Sequence, residues 1–224
     1  MKSEIILALD VDAAQKAKKI AARLYPKIKI FKIGLQLFSA SGPEMIKYIN
    51  RKGAAVFLDL KLFDIPNTVA NAIRQAVRLR VKMLTLHISG GEAMLKAAVE
   101  AAKNEARSLG VKKPLLIGVT VLTSQKASAE TVLRMAKAGL ACGLDGIVCS
   151  AREAAYLRKK IKSRFYIITP GIRPGNACTD DQKRTATVRE AVKAGSNFLV
   201  IGRPVLKAKN PLLAVKEVLA EIGE

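Results

Sequence analysis

The 224-residue sequence has one histidine, three cysteines, no tryptophan and only 4% aromatic residues. Each shortage removes a class of function. A single histidine, His87, cannot build a histidine-rich metal centre, and it leaves no competing Ser-His-Asp arrangement. Cys142, Cys149 and Cys178 are odd in number and form no CxxC pair, which suits a reducing, cytoplasmic setting better than a disulfide scaffold. No apolar run approaches the ~18 residues needed to span a bilayer. The opening MKSEIILALDVD returns to charge too soon for a signal-peptide core. Acidic residues are also scarce, 18 against 39 Lys and Arg, leaving a net charge of +21. Nucleic-acid binders gather such charge into a stripe or tail and interleave aromatics for stacking. Here the cations are scattered along amphipathic segments such as AQKAKKIAARL (14 to 24) and YLRKKIKSR (156 to 164). They read as solvated helix faces, although a field of this sign would still draw an anionic substrate.

What is present is a periodic array. Half of the residues are hydrophobic and mean hydropathy is +0.17, enough for a sizeable core. Short aliphatic runs predict strands at 4 to 9, 28 to 33, 54 to 60, 82 to 88, 114 to 119, 145 to 149, 165 to 169 and 197 to 201. Amphipathic patterns predict helices at 12 to 24, 42 to 52, 67 to 80, 91 to 109, 128 to 141, 151 to 162, 187 to 194 and 210 to 222. Eight such units without a long linker imply an α/β (β/α)8 TIM barrel occupying 1 to 224 as one domain. A doubly wound open sheet is the alternative, but no GxGxxG follows the first strand.

Barrel geometry directs attention to the strand ends, where function collects at the C-terminal face. FLDLKLFDIP, residues 57 to 66, places charge inside a buried-strand pattern. By alternation Ala55, Phe57, Asp59 and Lys61 share the inward face, while Val56, Leu58 and Leu60 face the helices. The same count groups Ile6, Ala8 and Asp10 on strand one, and Ile28, Ile30 and Lys32 on strand two. Three neighbouring strands thus end in inward charges. Asp64, just before Pro66, also reads as a cap for the following helix. A cap does not account for two lysines and two further aspartates at adjacent strand ends. Buried ions cost several kcal/mol each before pairing, so a charged ring here is better explained by chemistry than by stability.

Lys61 lies between Asp59 and Asp64, which favours its ammonium form; Lys32 opposes this but is offset by Asp10. Lys61 therefore reads as a proton donor rather than a Schiff-base nucleophile, held in an Asp-Lys-Asp-Lys chain. His87 ends strand four and, as a lone histidine, fits a hydrogen-bonded structural group at the mouth better than a catalyst. Cys149, ending strand six without an evident base beside it, reads as core. TPGIRP (169 to 174) and VIGRPV (200 to 205) end strands seven and eight, where TIM barrels commonly bind phosphate. Arg173 and Arg203 offer forked cations, and Gly202 permits close backbone approach. A phosphorylated small molecule is the implied ligand.

These residues resemble the orotidine 5′-monophosphate decarboxylase family of the bacterial type. DLKLFDIPNT (59 to 68) looks like its signature, and LALD, FKIGLQLF, LTLHISGG, GVTVLTS, TPGIRP and VIGRPV recur in order over nearly the whole chain. The resemblance implies loss of CO2 from the orotate ring to give uridine 5′-monophosphate, with no metal or organic cofactor. It implies that Asp10 holds ribose hydroxyls, Lys32 links ribose to the charged cluster, Asp59 lies against the substrate carboxylate, and Lys61 protonates C6. Thr123 matches a pyrimidine contact, and Arg173, Gln182, Gly202 and Arg203 match phosphate-side positions. Asp64, Ile65 and Thr68 would reach a partner subunit's site, implying a homodimer with shared active sites; a basic RNA- or membrane-surface-binding barrel is the other class, and the scattered charge speaks against a nucleic-acid or membrane partner. Relatives acting on 3-keto-gulonate 6-phosphate or hexulose phosphates share Asp-x-Lys-x-x-Asp but use magnesium, with an acidic residue ending strand two. This chain has Lys32 there.

Overall fold

Two-residue alternation splits the barrel strands into an inner and an outer row. The protein is described by a computed structural model over residues 3–122, 125, 127–174 and 185–223. Its strands are β1 (Glu4–Ala8), β2 (Ile30–Gly34), β3 (Ala55–Leu62), β4 (Met83–His87), β5 (Leu115–Val119), β6 (Gly146–Val148), β7 (Tyr166–Thr169), β8 (Ile172–Arg173), β9 (Ala186–Thr187) and β10 (Phe198–Ile201). Strands β1 to β7 and β10 pair in parallel and close on themselves, β1 meeting both β2 and β10. The small pair β8–β9 stands apart from this barrel. The predicted (β/α)8 architecture is therefore the observed one.

The inner row is one cluster: Ile6 and Ala8 of β1, Ile30, Phe57, Met83, Ile117, Ile168, and Phe198 and Val200 of β10. The outer row, including Leu7, Phe31, Val56, Leu58, Leu84, Ile147 and Leu199, packs into the larger cluster under the helices. This matches the predicted faces of strands one and three. Ile28 is a correction, because it belongs to the outer cluster. Its amide donates to Leu24 O at 2.9 Å, closing the end of the first helix, so the strand parity that begins at Ile30 does not extend back to it.

Helix starts follow side-chain chemistry. Ser150 with Glu153 and Thr187 with Glu190 form capping boxes for Ala151–Lys160 and Val188–Lys193, and Ser128 and Asn210 accept at two further N-termini. The predicted helix at 42 to 52 is shortened to Glu44–Arg51 and preceded by a separate helix, Leu35–Ser41. Gly42, with φ +53°, turns the chain between them, a conformation open to glycine. The seven-residue Leu35–Ser41 is too short to carry a helical period in the sequence. Cations fall on exposed faces, as in Ala14–Leu24, which buries Ala17, Ala21 and Leu24. Among the described residues no helix is long and apolar enough to cross a membrane.

Met83 lies at the centre of the inner row, completely buried, and does not line the cavity described below. Met83→Ala should cost about 2–5 kcal/mol and lower the melting temperature by roughly 4–20 °C, as read by circular dichroism.

Candidate active site

A cavity of about 270 Å³ opens at the C-terminal ends of the barrel strands. Its charged side is assembled from consecutive strands. Asp10 follows β1, Lys32 lies in β2, and Asp59 and Lys61 lie near the end of β3. Lys32 Nζ donates to Asp10 Oδ1 at 2.8 Å and stands 3.7 Å from Asp59 Oδ2. Lys61 Nζ donates to Asp59 Oδ1 at 2.8 Å. Asp10, Lys32, Asp59 and Lys61 thus form a continuous line of alternating charge. The inner side chains of Phe57 and Ala8 line the same cavity below it.

Local structure makes room for this line. Gly34 pairs with Asp59 across β2 and β3, and a Cβ on it would come within 2.9 Å of Lys32 Nζ. A side chain at Gly34 would displace the ammonium from this position. In β3 the ladder to β4 shifts, with Leu58 opposite Leu84 but Leu62 opposite Leu86. Two extra residues are therefore accommodated in β3, and Lys61 takes a left-handed φ of +50°. For a residue with a long side chain this conformation costs of order 1–3 kcal/mol and must be held by its surroundings.

Electrostatics in the line are asymmetric. The Asp59 side chain is 14% exposed and Lys32 11%, whereas Lys61 is 32% and Asp10 51%. Burial alone would push the Asp59 carboxyl up. The charges of Lys32 and Lys61, with hydrogen bonds from Lys61 and Thr85, outweigh it and hold the group below the ordinary carboxylate value. The His87 imidazole is also pushed below its ordinary value, chiefly by burial and then by the Lys61 charge, against a smaller pull from Asp59. It stays neutral and packs edge-on against Phe63, with ring centroids 5.9 Å apart. It does not line the cavity.

The opposite side carries Arg173 of β8, which is buried, and Gly202 and Arg203 after β10. A Cβ on Gly202 would point towards Ala8 and Asp10 at 3.4 and 3.7 Å, so a larger side chain would fill ligand space. Val119, Val121, Val148 and Ile168 form an apolar wall between the two polar sides. Cys149 is buried and also reaches this wall; burial raises its thiol far above the usual range, which keeps it un-ionised and unreactive.

Asp64, Ile65 and Thr68 are exposed, and none of them lines the cavity. The predicted capping role of Asp64 is not observed. Helix Pro66–Arg78 begins with Ile65 at its N-cap and no side-chain cap, and among the described residues the Asp64 carboxylate accepts only from the adjacent Ile65 N–H at 2.6 Å. Asp64 sits one position too early to reach the free amides of the first turn. It also makes no ion pair with Lys61 among the described residues; Asp59 alone holds that ammonium. Thr123 and Gln182 lie outside the described residues. Thr85 and Gly34 escaped the sequence reading, although Thr85 alternates with Met83 and His87 on the inward face of β4, and that parity was the available signal.

Comparison with known proteins identifies the family. The profile of the orotidine 5′-phosphate decarboxylase / HUMPS family matches residues 3–218. An orotidine 5′-phosphate decarboxylase from Moorella thermoacetica is 43% identical over 99% of this chain and 92% of its own length. One from Nitratidesulfovibrio vulgaris is 44% identical over 99% of this chain and 98% of its own. The crystal structure of orotidine 5′-phosphate decarboxylase from Lactobacillus acidophilus superposes with a TM-score of 0.87 at 34% identity, covering 99% of this chain and 100% of that one. By the span of the family match and the identity of these relatives, the chain belongs to the orotidine 5′-phosphate decarboxylase / HUMPS family.

Proposed function

We propose that Lys61 delivers the proton to C6 as orotidine 5′-monophosphate loses CO2 to become uridine 5′-monophosphate. The chain is an orotidine 5′-phosphate decarboxylase of pyrimidine biosynthesis by its relatives; the proposal concerns how it works. The observation that carries it is the Lys61 ammonium fixed 2.8 Å from a largely buried carboxylate, across an apolar wall from Arg173 and Arg203. The arginines take the phosphate, Asp10 and Lys32 the ribose, and Asp59 lies against the substrate carboxylate. Breaking the C6–carboxyl bond leaves its electron pair on C6. The Lys61 ammonium gives C6 a proton and becomes an amine, which solvent reprotonates. No metal or organic cofactor takes part. Lys32 favours this reading over a magnesium-dependent sugar phosphate reaction, because its ammonium stands at the end of β2 where those relatives have an acidic residue.

Magnitudes divide the work. Two carboxylates about 4 Å apart repel by roughly 4 kcal/mol at an effective dielectric of about 20. Enzymes lower barriers by about 8–23 kcal/mol. Repulsion from Asp59 is therefore too small to act alone. The larger share comes from Lys61 facing negative charge that develops at C6 in a site already organised to receive it. Phosphate binding, remote from C6, contributes by ordering that site.

The working unit is a homodimer in this reading. Phe63 and Ile65 are 63% and 67% exposed, and Leu35, at the end of the adjacent β2, is 59% exposed. Apolar side chains grouped at the mouth, with Asp64 among them, suit a second copy whose cavity Asp64, Ile65 and Thr68 enter. A cytoplasmic setting is supported by the free thiols Cys142 and Cys149.

Orotidine 5′-monophosphate added with EDTA should be turned over, as followed by pyrimidine ultraviolet absorbance; no turnover by folded protein would sink the reading. Lys61→Ala should abolish decarboxylation while calorimetry still detects binding of uridine 5′-monophosphate. Near-normal turnover in that variant would remove Lys61 as proton donor. Mixing inactive Asp64→Asn and Lys61→Ala chains should restore part of the activity through hybrid sites, and confirmed hybrids without rescue would refute shared sites.

A further inference from the structure

Thr85 is completely buried on β4, directly across from the irregular part of β3. A buried hydroxyl needs a partner, and one would satisfy it. Thr85 has two, and both belong to the charged pair. Its oxygen accepts the backbone N–H of Lys61 at 2.9 Å, and its hydroxyl donates to Asp59 Oδ1 at 2.9 Å. That carboxylate oxygen is the same one that accepts from Lys61 Nζ. The three hydrogen bonds form a ring that leaves Lys61 at its backbone amide, passes through Thr85 and Asp59, and returns to the Lys61 ammonium.

The ring answers two local problems together. At the bulge the regular ladder no longer offers the Lys61 amide a partner in β4, and the Thr85 hydroxyl takes the place of a strand carbonyl. The left-handed backbone of Lys61 is thereby tied to the neighbouring strand. The hydroxyl's own proton, directed at Oδ1, fixes the rotation of the Asp59 carboxylate and leaves Oδ2 towards Lys32. Thr85 does not line the cavity and touches no ligand position.

We propose that Thr85 is a positioning residue for the decarboxylation, setting where the Lys61 ammonium and the Asp59 carboxylate stand relative to the reacting carbon. This rests on the proton-donor reading of Lys61. The role requires the hydroxyl and not the size of the side chain. Valine keeps the shape and loses both bonds; serine keeps both bonds and loses a methyl group.

Thr85→Val should lower kcat by about 10- to 100-fold with KM within about threefold, because the defect lies in transition-state alignment. Thr85→Ser should stay within about threefold of the parent. The charged groups facing Asp59 are Lys32 of β2 and Lys61 of its own strand, with Asp10 beyond β1; the titratable but neutral His87 lies on β4. Losing one donor to the carboxylate raises its pKa, so the acid limb of kcat/KM should move to higher pH in the valine variant and not in the serine variant. Carboxyl 13C titration of Asp59 in ligand-free protein reads the same shift without any turnover. If Thr85→Val fails to fold, Thr85→Ala takes its place with the same expectations. Unchanged kcat, or an unmoved Asp59 titration, in the folded variant overturns the proposal. Failure of the underlying reading is separate: it shows as turnover retained by Lys61→Ala, whatever the Thr85 variants do.

Discussion

An ionised carboxylate held out of water at the mouth of a barrel is the constraint on which the rest of the site depends. Removing Asp59 from solvent costs several kcal/mol before any partner is supplied. Its partners come from three strands: the Lys32 ammonium from β2, the Lys61 ammonium from β3 itself, and the Thr85 hydroxyl from β4. Neither Lys32 nor Thr85 would meet Asp59 in another strand order or register. The closed barrel is therefore more than a support for the site, since its pairing of β2, β3 and β4 is what makes the charge tolerable. Gly34 and the left-handed Lys61 are two local departures the arrangement requires, one yielding space and the other direction.

The same constraint gives the cavity its polarity. A carboxylate fully neutralised by neighbours would offer little to a substrate, and one left bare would take up a proton. Asp59 lies between these limits, with two ammonium groups and a hydroxyl keeping it ionised while its side chain remains partly open to the cavity. The net charge of +21 belongs to a different scale. Spread over helix faces, it biases the approach of anions, whereas the arginines lining the cavity act only at contact. Long-range attraction and local chemistry are built from different residues.

Much of this was legible in the sequence because it depends on parity. Period-two alternation put Phe57, Asp59 and Lys61 on one face and Val56 and Leu58 on the other, and the barrel keeps both sets. Parity failed at Ile28, which precedes its strand, and it gave no sign of the bulge, where the spacing to β4 changes by two residues and so leaves the faces unchanged. A bulge carries no compositional mark when the residue at its turn is lysine instead of glycine. Thr85 was hidden for a related reason. Its neighbours Leu84 and Leu86 read as plain strand, and the value of its hydroxyl lies in partners more than twenty positions earlier. Short elements such as Leu35–Ser41 and the β8–β9 pair hold too few residues to show a period.

The segment after β3 shows where local stability ceases to explain the sequence. Helix Pro66–Arg78 starts with proline in its first turn but has isoleucine at the N-cap, forgoing a side-chain cap that is typically worth about 1 kcal/mol. The aspartate that could cap it stands one residue too early, bonded to its neighbour's amide. Phe63 and Ile65 on either side of that aspartate are largely exposed, and Phe63 makes an edge contact with His87. An exposed phenylalanine, an exposed isoleucine and a misplaced aspartate each fall short within one chain. They cease to do so together if a second copy covers the two apolar side chains and receives the carboxylate. On that view β3 serves two cavities: its inward face supplies Asp59 and Lys61 to its own, and the turn after the bulge sends Asp64 away from it.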